Sequence, residues 1–70
     1  MELNSEKLII LLEHMLHHNK HHSEEIGEIA EKAADLGKKD AASLIKEAKE
    51  LQDKANENLE SALDLAKREE

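Results

Sequence analysis

Apolar residues return along this chain in steps of three and four, and a single glycine divides the pattern in two. Leu8, Leu12, Met15, Ile26, Ile29, Ala33 and Leu36 form the first series, with Asn19 and His22 standing where apolar members are missing. Ala41, Leu44, Ala48, Leu51, Ala55, Ala62 and Leu65 form the second, with Asn58 as its polar member. At about 100° per residue, such steps keep side chains on one stripe of an α-helix and cannot keep them on one face of a strand. The phase is the same on both sides of the histidine-rich stretch, which predicts one continuous helix over about residues 5–36.

The ends of the helices are also written in the sequence. Asn4 or Ser5 is suited to the N-cap, where a short polar side chain accepts from a free backbone N–H. Gly37 follows the last periodic residue, the position where a helix commonly ends in the left-handed conformation. Lys38 and Lys39 sit by the negative end of the helix dipole. Asp40 is the expected N-cap of a second helix over about residues 41–67, with fraying from Arg68 onward.

A connection of three or four residues makes the two helices antiparallel. The predicted fold is therefore all-α, an antiparallel hairpin of two long helices forming a single helical domain, residues 1–70. Folding about residue 38 pairs positions whose numbers sum to roughly 76. Ile29 falls near Ala48, Ile26 near Leu51, His22 opposite Ala55, and Asn19 opposite Asn58. A polar pair such as Asn19 and Asn58 in a helical seam sets register at some cost in stability.

Further apolar residues lie beside this seam: Ile9, Leu16, Ala30 and Ala34 on the first helix, and Ile45, Leu59 and Leu63 on the second. One hairpin cannot cover both stripes. The second stripe is thus expected to be an interface, with Ile9, Leu16, Ile45, Leu59 and Leu63 completing a homodimeric four-helix bundle. A partner protein is the other occupant such a stripe can take. A rival segmentation starts a helix at Ser23, which is followed by Glu24 and Glu25. It would give a monomeric three-helix bundle broken near residues 22–24.

Composition excludes several function classes. There is no cysteine, hence no disulfide and no thiolate nucleophile or ligand. The net charge of −7 argues against nucleic acid or an anionic membrane surface as a partner. The longest apolar run, Leu8 to Leu12, is too short to cross a bilayer, and Glu2 and Glu6 are wrong for the start of a secretory signal. A soluble cytoplasmic protein is the expectation. No nucleophile stands with an evident base, and no Gly-rich phosphate loop is present, so a non-enzymatic role is expected.

All five histidines lie between His14 and His22. His14, His18 and His22 are spaced i, i+4, i+8 on one helical face, and Glu25 continues it. Two neutral imidazoles one turn apart can share a transition-metal ion, and a carboxylate can complete the set. The candidate metal ligands are His14, His18, His22 and Glu25, with His21 as an auxiliary; zinc or nickel would suit them. One helix cannot surround an ion. Lys54, Asn58 and Ser61 are poor donors across the hairpin, so further ligands must come from a second subunit. The competing reading makes the chain a structural or dimerisation module whose histidines are solvated surface.

The stretch "LLEHMLHHNKHHSEE" resembles a family of small bacterial and archaeal helical proteins known as a domain of unknown function. Its pattern is L-L-x-H-x-x-x-H-N-x-x-H-x-x-E, matched here by Leu11, Leu12, His14, His18, Asn19, His22 and Glu25. A weaker likeness extends through "AEKAADLGKKDAASLIKEA" and "ANENLESAL". The family often has an aromatic at the position of Met15, and acidic or polar residues at those of His17 and His21. The resemblance implies a helical hairpin and no particular activity.

Overall fold

The computed structural model describes residues 4–69, so positions 1–3, including Glu2, and position 70 of the expected domain lie outside it. Two helices account for nearly all of it: α1, Ser5–Asp35, and α2, Lys39–Arg68. α1 runs without a break through Ser23, which removes the three-helix alternative. Asn4 caps α1, its side-chain oxygen accepting from the Lys7 amide at 2.9 Å.

α1 ends in a Schellman turn. The Gly37 amide donates to the Ala34 carbonyl at 2.9 Å, and the Lys38 amide to the Ala33 carbonyl at 3.0 Å. Gly37 has φ 78°, the left-handed conformation that the turn requires. α2 begins at Lys39, with Lys38 at the cap position and no side-chain cap bond. Asp40, expected to be that cap, falls instead in the first turn, where its charge still suits the helix dipole. At the far end α2 stays helical to Arg68 rather than fraying there, and the Glu69 amide donates to Leu65.

The antiparallel hairpin has close to the expected register: Ser23 meets Asp53, while Lys20 meets Glu60 and Glu13 meets Lys67. Its rotation differs. The residues between the helices are Leu16, Ser23 and Asn56, at 8%, 4% and 5% exposure, flanked by half-buried Ile9, Ile26, Ala30, Ile45, Leu59 and Leu63. The expected interface residues Ile9, Leu16, Ile45, Leu59 and Leu63 are thus used inside the hairpin. Asn58 is exposed and Asn19 only half-buried, so these two do not form a buried polar pair. Leu8, Met15, Ile29, Leu36, Leu44, Leu51 and Leu65, expected in the seam, are exposed.

Small side chains mark the stripe that is used, with Ser23, Gly27, Ala30 and Ala42 lying along it. At Gly27 a Cβ would meet the Lys49 side chain at 3.0 Å from Cε and 3.2 Å from Cδ. The larger leucines of the other stripe are left to face outward, and among the described residues no hydrophobic side chain is fully buried. The molecule measures 51 × 19 × 15 Å, with a radius of gyration of 15.9 Å. A compact chain of this length would have roughly 11 Å.

Candidate functional site: an apolar face with a histidine pair

Angles around each helix, measured from the buried Leu16 and Ser23 on α1 and Asn56 on α2, divide the hairpin into two unlike faces. One is polar. Lys20 donates to Glu60 at 2.8 Å, and Lys67 approaches Glu13 at 3.9 Å. Near the turn, Glu24, Glu28 and Glu31 form one wall of an open groove and Lys39, Lys46 and Lys49 the other. The polar face therefore neutralises itself across the hairpin.

The other face carries Leu8, Met15, His22 and Ile29 from α1, with Leu44, Leu51, Ala55 and Ala62 from α2. At about 100° per residue, no Asp, Glu, Lys or Arg lies within about 50° of the midline of this face on α1 between Leu8 and Leu36, while on α2 Asp40 lies on the face beside the turn and Glu47 just past its rim. In a chain that is 39% charged, the strip is free of charge along α1 and poor in charge along α2. Its leucines stand well clear of the hairpin, Leu44 being 68% and Leu51 66% exposed.

His18 and His22 lie on this apolar face, with Glu25 just past its rim. Their Nε2 atoms are 2.9 Å apart and their rings are edge-on, with centroids separated by 4.4 Å. Glu25 approaches the opposite nitrogen of His22, Oε2 to Nδ1, at 3.9 Å. His17 and His21 form a second edge-on pair at 5.2 Å. The structure thus brings together His18, His22 and Glu25 of the four candidate ligands, but places His21 against His17 and gives His14 no ring partner. No group of three or more His, Asp or Glu able to hold one metal ion is present among the described residues.

The polar centre of the seam was missed by periodicity. Ser23 donates to Asp53, whose other carboxylate oxygen accepts from Lys49 at 2.8 Å. The Lys49 hydrogen bond, followed by that of Ser23, holds the Asp53 carboxyl below its ordinary value. Gln52 donates to the buried Asn56 side chain at 3.0 Å. A signal for these residues exists: Ile9, Leu16, Ser23 and Ala30, like Ala42, Lys49, Asn56 and Leu63, are spaced by sevens. Each series has polar members near its centre.

A family model described as Domain of unknown function (DUF8180) matches residues 8–66. The chain belongs to this family. The match runs from the first leucine of the apolar face to the last turns of α2, so it covers both helices and the turn joining them. No curated protein and no solved structure matches the chain. Among the described residues no helix is long and apolar enough to cross a membrane.

Proposed function

We propose that this chain is a non-enzymatic self-association module, in which two hairpins bury their apolar faces against each other as a four-helix bundle. The observation that carries this reading is the exposed leucine strip on one face of both helices, charge-free along α1 and poor in charge along α2, opposite a face laced with ion pairs. A second copy presents the same strip, so the same residues meet on both sides of a two-fold interface.

The exposed area supports that occupant. The chain exposes 5669 Å², whereas a compact chain of 7.9 kDa would expose roughly 4,400 Å². The surplus of about 1,300 Å² exceeds the ~800 Å² that each partner gives up in a standard protein interface. The histidine pair adds a second property to the same surface, two imidazoles at chelating separation for a transition metal such as zinc or nickel. Sedimentation equilibrium of the untagged chain at ~100 μM tests the assembly. Twice the chain mass of 7.9 kDa is expected, and a monomer at that concentration rejects it.

A further inference from the structure

The exposed leucine strip is symmetric along its own length. Leu8 and Leu36 stand fourteen residues on either side of His22, and Met15 and Ile29 stand seven. On α2 the exposed leucines Leu44 and Leu65 are centred between Lys54 and Ala55, an arrangement that sets Leu51 opposite Asn58 and Ala62 opposite Glu47. The Ser23–Asp53 contact places the two centres at the same height of the hairpin. One two-fold axis, lying in the docking face and perpendicular to both helices, therefore serves both strips. Rotation about it lays α1 antiparallel on α1 of a second copy, Leu8 over Leu36 and Met15 over Ile29, with the two turns at opposite ends.

In that arrangement positions whose numbers sum to 44 face each other. Glu25 of the second copy falls opposite position 19, between His18 and His22 of the first. His18 and Glu25 are on the outer side of the α1–α1 contact, bordering solvent, and His22 is at its centre, opposite His22 of the second copy. Within one chain Glu25 approaches His22 from the Nδ1 side, away from the Nε2 atoms that face each other, so it does not complete a ligand set with them. A carboxylate from across the axis approaches without that constraint.

We propose that self-association builds two equivalent transition-metal sites, each holding its ion by His18 and His22 of one chain and Glu25 of the other. The inference rests on the self-association reading and deepens it. The bite of the histidine pair suits the ion. Two nitrogens 2.9 Å apart, each about 2.0–2.1 Å from a metal, subtend about 90° at it. This is the angle between neighbouring ligands of an octahedral ion such as nickel(II), with water in the remaining positions. Calcium and magnesium, which prefer all-oxygen ligands, do not fit.

The test uses the full untagged chain and nickel(II) chloride, with calorimetric titration for stoichiometry and sedimentation for assembly. One ion per chain is expected. His18→Ala/His22→Ala should abolish binding, and Glu25→Gln should weaken it on the order of tenfold or more. Unfolding and refolding the two defective variants as an equal mixture discriminates further. A mixed dimer joins the histidines of one chain to the Glu25 of the other and restores one site. Random pairing then recovers about one quarter of the wild-type tight sites. A dimer that binds no nickel overturns the site. Dimers of both variants whose mixture recovers nothing place the ligands in one chain, and this overturns the site across the axis while leaving self-association standing. A chain that is monomeric with and without nickel overturns both readings.

Discussion

Replacing Leu51 by alanine separates a solitary hairpin from a four-helix bundle, with Leu16→Ala as the reference. Leu51 is 66% exposed in the hairpin, and Leu16 only 8%. If the hairpin were the final state, Leu51→Ala would change stability by less than about 0.5 kcal/mol, as surface substitutions do. Burying a whole leucine side chain stabilises by about 1.5–3 kcal/mol, so covering the two-thirds still exposed is worth about 1–2 kcal/mol per chain. Both copies lose it, which makes about 2–4 kcal/mol per dimer, or roughly a 30- to 700-fold rise in the dimer Kd. Leu16→Ala instead removes contacts within each chain and should cost about 2–5 kcal/mol at any concentration. Thermal melts over a hundredfold range of protein concentration read the difference. Leu51→Ala should melt lower than wild type, with a gap that narrows as the concentration rises and mass action restores the dimer. Wild-type melting at every concentration, beside a clearly destabilised Leu16→Ala, would refute the reasoning, because the strip would then be exposed in the final state.

Three further outcomes follow from local geometry. Gly37→Ala forces a Cβ into φ 78° with no neighbour to clash, so the cost is that of the left-handed backbone alone, about 1 kcal/mol or 4–8 °C in Tm. An unchanged Tm by circular dichroism would contradict this. Gly27→Ala gains up to about 1 kcal/mol of helix propensity and displaces only the flexible end of Lys49, so Tm should rise by a few degrees; a fall would mean that the Lys49 stem packs there as a fixed element. Asp53 is favoured in its ionised form by Lys49 and Ser23, so its contribution is full above the ordinary carboxylate value of 3.8 and disappears as pH falls through the lower value in the fold. Melts of wild type and Asp53→Asn should therefore differ at pH 7 and draw together as the pH falls below the ordinary carboxylate value of 3.8. A gap independent of pH would show that the carboxylate charge contributes nothing.

Local order in this protein depends on neighbours in the chain, and the sequence carries it. Three-and-four spacing specifies helices whatever they pack against, Asn4 caps because its side chain reaches an amide three residues on, and Gly37 turns the chain because it lacks a Cβ. The hairpin register followed from the same source, since a short turn leaves little freedom in how far two helices slide. The i, i+4 histidines are likewise a property of one helix, so the His18–His22 pair was legible before any packing was known.

Which stripe each helix turns toward the other was decided only by tertiary structure. In a bundle every helix has two neighbours, and its apolar arc is wide enough to serve both. Periodicity locates that arc but does not divide it. The division depends on how the side chains of both helices fit together, and the small Ser23, Gly27, Ala30 and Ala42 lie along the stripe that holds Leu16. That choice buries Ser23 and Asn56, links Asp53 to Lys49, and leaves Leu44, Leu51 and the paired histidines on the outside. The sequence alone marked those leucines as core; packing within the hairpin made them a surface.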